Sequence, residues 1–271
     1  MEGIREETGA EIRKVGVRKK ASLGLRLTER DFEILSFLYD QKFASLPVLY
    51  FRFFDRRASV EEAVPKNFWV TRQRIAVLRQ AGFIDSQRAY TDAKALYLIT
   101  KAGYEILKTR CDLELSREPV RTVDFRYFDH DKRATLCRAA LERHGKSKRW
   151  FSDRYLRIKK GYPIESGEFC RLPDGIIPDG VFLSSKNEFV ALEVEHTPKK
   201  RERYVEKRRT YQNLIFRGAT GGDKMLHRVI FVSSSDRIGK DLEEIYGRDK
   251  EFQVVSFEKL IGSYLGGEAL L

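Results

Sequence analysis

Residues 74–107 read RIAVLRQAGFIDSQRAYTDAKALYLITKAGYEIL, and a change of apolar period inside this stretch decides the fold of the first half. From about Thr71 to Ala81 the spacing is helical, with Ile75 and Leu78 on one side and Gly82 in the place of a helix-ending residue. Gln73, Ala76 and Gln80 point the other way, flanked by Arg72, Arg74 and Arg79. The segments FIDSQR and ALYLIT then read as two short strands, joined into a hairpin by the polar residues Ala89 to Lys94. Thr100 caps a further helix, KAGYEILK.

Upstream, Thr28 is an N-cap candidate with Asp31 three residues on, and Phe32, Leu35, Leu38 and Tyr39 share a helical face. Ser45 opens a second helix that tolerates Pro47 in its first turn. A charged connection runs from Asp55 to about Lys66. Three helices, a two-stranded wing and a closing helix make the winged form of the helix-turn-helix. Before it, residues 1–26 carry Arg13, Lys14, Arg18, Lys19, Lys20 and Arg26 with few apolar anchors. That is the pattern of a flexible basic arm that follows phosphates, or of a solubilising tail.

The chain has 271 residues, with 52 Lys and Arg against 40 Asp and Glu, so its formal charge is +12. At this length two domains are expected, and the charge favours a polyanionic partner, of which nucleic acid is the commonest. Hydrophobic residues at 42% exclude a disordered composition. No apolar run approaches the roughly 18 residues of a membrane span, and the first residues lack the apolar core of a secretory signal. A cytoplasmic protein without a membrane partner is expected. Cys111, Cys137 and Cys170 lie too far apart for a zinc motif or a disulfide framework.

Residues 112–128 read as a linker. A helix capped by Asp129 or Asp131 follows, then strands over IIPDGVFLSS, EFVALEVEHT, LHRVIFVSSS and EFQVVSF, with a helix past Pro198: a mixed sheet flanked by helices over residues 129–271. In EFVALEVEHT, Glu193 and Glu195 project to one face while Val190, Leu192 and Val194 cover the other. Antiparallel pairing through Asn187 brings Asp179 near both. Three carboxylates in one place need neutralising charge, and hard oxygen ligands suit Mg2+ or manganese. On the helix past Pro198, Lys207 falls within the apolar arc of Tyr204, Tyr211, Leu214 and Ile215 and so faces the sheet. Arg201, Arg203, Arg208 and Arg209 surround it as candidate phosphate contacts. The alternative is a half-exposed strand with solvated carboxylates. His196 is a candidate ligand or a hydrogen-bonded neighbour, and His130, His144 and His227 show no constellation.

In residues 27–111, Leu78, Gly82, Phe83 and Ile84, then Leu98, Ile99, Thr100 and Gly103, resemble winged-helix DNA-binding domains. The resemblance implies that the third helix enters the major groove with Arg72, Gln73, Arg74 and Gln80 as DNA-binding candidates, while Arg88 and Lys94 on the wing grip phosphate. Pro178-Asp179 and Glu193-Val194-Glu195 resemble the PD-(D/E)xK nuclease motif, except that Glu195 stands where the family has lysine. The resemblance implies Asp179, Glu193 and Glu195 as Mg2+ ligands and, with Lys207 supplying the missing cation, as catalytic candidates. Across residues 27–260 the chain is similar to the replication-relaxation family of plasmid and mobile-element proteins. The expected fold is two-domain, α/β and α+β: an N-terminal winged helix and a C-terminal PD-(D/E)xK-like mixed sheet. The expected function is double-stranded DNA binding in replication, mobilisation or DNA processing. Two rivals are a magnesium-dependent endonuclease and a scaffold for a relaxase or replication protein.

Overall fold

The computed structural model describes residues 25–57, 68–88, 95–111, 117–164, 168–217 and 226–265. The basic arm up to residue 24, the connection over 58–67 and the hairpin tip with Lys94 lie outside them. The described residues are mixed α and β.

The first half runs α1 (Glu29–Gln41), β1 (Ala44–Ser45), α2 (Leu46–Phe53), α3 (Trp69–Gln80), β2 (Ile84–Arg88), β3 (Ala95–Ile99) and α4 (Lys101–Cys111). The backbone N–H and hydroxyl of Thr28 both donate to the Asp31 carboxylate at 2.7 Å, closing the first turn of α1. Helix α3 starts at Trp69, ahead of the expected Thr71. Phe68, at φ 46°, packs its ring on Tyr50 and Phe51 with centroids 4.8 and 6.4 Å apart, and so fixes the helix entry. The expected hairpin forms, with Ile84 opposite Ile99 and Arg88 opposite Ala95. A third strand, β1, pairs antiparallel with β3 through Ala44 and Tyr97. Two residues are too short to show a period, which is why the sequence does not reveal it.

The join between α3, the hairpin and α4 is tight. Gly82 takes φ +80°, the left-handed turn that ends α3. The Thr100 hydroxyl donates to the Gly82 carbonyl at 2.6 Å and accepts from the Gly103 N–H at 3.1 Å. A Cβ at Gly103 would stand 2.3 Å from the Phe83 carbonyl oxygen, so only glycine allows α4 to approach this closely.

The second half adds α5 (Phe128–Arg143), β4 (Ser147–Ser152), α6 (Asp153–Lys159), β5 (Gly161–Pro163), β6 (Phe169–Arg171), β7 (Gly180–Ser184), β8 (Phe189–Glu195), α7 (Arg201–Arg217), β9 (Arg228–Ser233), α8 (Asp236–Tyr246), β10 (Phe252–Ser256) and α9 (Phe257–Leu265). The five-stranded sheet has the order β10-β9-β8-β7-β4. Strands β8, β9 and β10 are parallel, and β7 is antiparallel to both of its neighbours. Val181, Leu183 and Ala191 pack with Tyr204, Tyr211, Ile238 and Leu242 on the α7–α8 side. Phe182, Val190 and Leu192 belong to the cluster of α5 and α9 on the other.

That second cluster does not stop at the sheet. It continues from Leu136, Ala139 and Ala140 of α5 into Leu35, Leu38, Leu49 and Phe51 of α1 and α2, so one apolar core serves both halves. Beside it, buried Arg138 of α5 meets Asp40 of α1 at 2.9 Å and Glu142 at 3.0 Å. The segment expected as a linker is fastened along its described part. Val123 is buried with Phe43, Leu96 and Leu98, and the Arg117 carbonyl accepts from the Tyr39 hydroxyl at 3.0 Å.

Candidate functional site

The register of β7 on β8 sets Gly180 opposite Leu192, which places Asp179 across from Glu193 at one end of the sheet. The Asp179 N–H donates to the Leu192 carbonyl at 3.0 Å, and its Oδ2 accepts from the Val194 N–H at 2.7 Å. Glu195 follows on the same face of β8. Both glutamates are buried, at 5% and 1% exposure, so the reading of a half-exposed strand with solvated carboxylates does not hold. Helix α7 turns Lys207 toward them, as its place in the arc with Tyr204 and Tyr211 requires. Lys207 Nζ lies 2.9 Å from Glu193 Oε2 and 3.1 Å from Glu195 Oε1. Lys199 adds a second cation 2.6 Å from Glu195 Oε2, and the Tyr211 hydroxyl donates to Glu193 Oε1.

His130 completes the cluster, although nothing in its local sequence marks it. It stands near the start of α5, with Nε2 3.2 Å from Asp179 Oδ1 and Nδ1 3.6 Å from Asp131 Oδ1. The run Asp129-His130-Asp131 shows acids beside the imidazole, but only the packing of α5 on the sheet brings in Asp179.

Charge and burial act against each other here. Burial alone would raise the pKa of Asp179, yet the His130 hydrogen bond and charge and the Val194 amide hold it below the usual carboxylate range. For Glu193, burial prevails over Lys207, and the negative charges of Asp179 and Glu195 add to it, so its pKa is raised. Burial disfavours the Lys207 ammonium, but Glu193 and Glu195 outweigh it and drive its pKa upward. The three acids are therefore neutralised by Lys207, Lys199 and His130, which removes the electrostatic need for a divalent cation. Lys207 sits between Glu193 and Glu195 where a shared ion would go, and the Asp179 oxygens are engaged by His130 and Val194. Among the described residues no group of three or more His, Cys, Asp and Glu is disposed to hold a metal ion. In this arrangement the residues do not fit a resident Mg2+.

The cluster forms the floor of a cleft of about 1000 Å³ at the carboxyl ends of β4 and β8. Lys42, Arg117, Arg126, Arg154 and Arg157 line its walls, and Tyr127 stands at its edge. His196 lines it too, with Nδ1 3.4 Å from the Ser234 hydroxyl. Of the arginines expected around Lys207, Arg208 is bound to Asp249 through two nitrogens at 3.0 and 2.7 Å, and Arg201 to Glu244 at 2.9 Å. Arg203 and Arg209 are exposed.

The candidate DNA-binding residues separate by burial. Arg72, Gln73, Ala76, Arg79 and Gln80 form the exposed face of α3, with Trp69 and Val70 exposed at its start. Arg88 is exposed at the end of β2, and Lys94 lies outside the described residues. Arg74 is positioned otherwise than expected of a base reader. Its Nε donates to Asp31 Oδ1 at 2.7 Å and a second nitrogen donates to Oδ2, so it fastens α3 to the capped start of α1. No helix among the described residues is long and apolar enough to cross a membrane. No family model, no curated protein and no solved structure matches the chain.

Proposed function

We propose that the protein binds duplex DNA through α3 and the β2–β3 hairpin in the manner of a winged helix, and that it acts in the replication, mobilisation or processing of plasmid or mobile-element DNA, the setting implied by the replication-relaxation resemblance. The observation that carries the DNA-binding reading is the exposed face of α3. Arg72, Gln73, Arg79 and Gln80 are among the side chains that hydrogen-bond base edges and phosphates, and none has a partner among the described residues. A formal charge of +12 supports it. The test is equilibrium binding to a labelled duplex over a series of salt concentrations. The logarithm of affinity should fall linearly with the logarithm of salt, and Arg72→Ala with Gln73→Ala should weaken binding. Salt-independent binding, or no effect of the double substitution, overturns the reading.

A second reading, a metal-dependent endonuclease, is favoured by the convergence of Asp179, Glu193, Glu195 and Lys207. It requires Lys207 to leave its place between the glutamates. Cleavage of supercoiled DNA in magnesium by the natural chain, and not by Glu193→Ala, would establish it; absence of cleavage leaves this half a binding module.

A further inference from the structure

The cleft above Asp179, Glu193 and Glu195 is too confined for a duplex. At about 1000 Å³ it falls in the range of sites that enclose one small molecule, room for a nucleotide or two. Its mouth has the two features that hold an unpaired strand, a cationic wall and an accessible aromatic ring. Arg117 is exposed on the wall. Arg126 pairs with Asp124 at 2.7 Å, largely in solvent, where ion pairs hold weakly and exchange for phosphate, and the half-exposed Arg157 reaches a mostly covered Asp153 at a long 3.5 Å. Tyr127 is 58% exposed, and the Arg126 guanidinium lies over its ring 5.7 Å from the centroid. A tyrosine ring that exposed offers a face for a base.

The lip of the cleft is also tied to the hairpin. The Gln87 amide on β2 donates to the Arg121 carbonyl at 2.6 Å and accepts from the Val123 N–H at 3.1 Å. Helix α1 spans the distance from Asp31, which holds Arg74 of α3, to Lys42 just past its end, in the cleft wall. At 1.5 Å per residue that is roughly 16 Å, a separation that one DNA molecule covers.

We propose that the cleft is a binding site for an unpaired stretch of DNA strand adjoining the duplex held by α3, with a base stacked on Tyr127 and phosphates on Arg117, Arg126 and Arg157. The adjoining duplex rests on the function proposed above; the strand site itself does not. The test measures fluorescence anisotropy on three probes: a blunt duplex, the same duplex with a single-stranded tail, and the single strand alone. The tail should tighten binding about tenfold. Tyr127→Ala should erase that advantage while leaving blunt-duplex affinity unchanged, and Tyr127→Phe should keep it. Arg117→Ala should reduce it as well. A tail without advantage, or an advantage indifferent to Tyr127→Ala, overturns the strand site. Loss of blunt-duplex binding alone, with single-strand binding still dependent on Tyr127, overturns the duplex reading and keeps the strand site. Tyr127 and Arg117 are exposed, and an unchanged melting temperature of each variant excludes unfolding as the cause.

Discussion

His130 Nε2 stands 3.2 Å from Asp179 Oδ1, joining the start of α5 to the strand end that carries the candidate acids. Burial disfavours the imidazolium, but Asp131 and Asp179 outweigh it and push its pKa up to about 10. An unfolded histidine titrates near 6.5. The stabilisation is therefore complete below about pH 6.5 and is lost as pH rises through about 10. In that window the unfolding free energy should fall by up to about 1.4 kcal/mol per pH unit, and His130→Asn should flatten the slope. Urea unfolding at about pH 6 and about pH 9 measures both proteins; equal slopes would show that the pair carries no linkage.

Lys207 neutralises two buried carboxylates at once. Lys207→Ala should lower stability by about 3–5 kcal/mol, because it strands charge in the interior. Adding Glu195→Gln should restore part of the loss. Chemical denaturation of the single and double variants decides it, and a cost below about 1 kcal/mol for the single change would mean that the glutamates do not depend on this lysine.

Arg72 and Arg74 are two residues apart on α3 and should behave as opposites. Arg72→Ala should weaken specific DNA binding by about 1–3 kcal/mol and leave the melting temperature unchanged. Arg74→Ala should destabilise the fold by about 1–3 kcal/mol, since buried Asp31 loses its guanidinium. Parallel binding and thermal-unfolding measurements on both variants would contradict this if the two patterns were exchanged.

Gly103→Ala places a methyl group 2.3 Å from the Phe83 carbonyl oxygen, and α4 must move to admit it. A loss of about 1–3 kcal/mol is expected, with DNA affinity falling as the hairpin shifts. Ala102→Ser, at the exposed neighbouring position, serves as the control in the same thermal assay.

Periodicity made several of the long elements legible. Ile75 and Leu78 mark the buried side of α3, the alternation in EFVALEVE separates the two faces of β8, and the arc of Tyr204, Lys207 and Tyr211 turns the lysine inward. Helices α8 and α9 were missed although Ile238, Leu242 and Ile245, and then Phe257, Leu260 and Ile261, recur at helical spacing. The short elements β1, β4, α6, β5 and β6 went unread because short runs carry no resolvable period and their pairing is decided by distant partners. The partners of Arg74 and His130 were hidden for the same reason. Asp31 and Asp179 lie far away in sequence, and a charged residue on an amphipathic helix looks identical whether it faces water or a remote carboxylate. The carboxylate trio was readable as a group, but its neutralisation by Lys199 and His130 was not.

Helix α5 is covered by α2 on one side and by the sheet on the other, so neither half owns it. A fragment ended within residues 117–127 would divide this core, separating Leu38, Leu49 and Phe51 of α1 and α2 from Ala139 and Ala140 of α5. Truncation there should yield two insoluble pieces, and the intact chain should melt in a single transition. The exposed face of α3 and the acidic cleft are then joined through one continuous apolar core, and under the proposed function the spacing at which they would meet a DNA molecule is set by that core, like the gap between the jaws of a gauge.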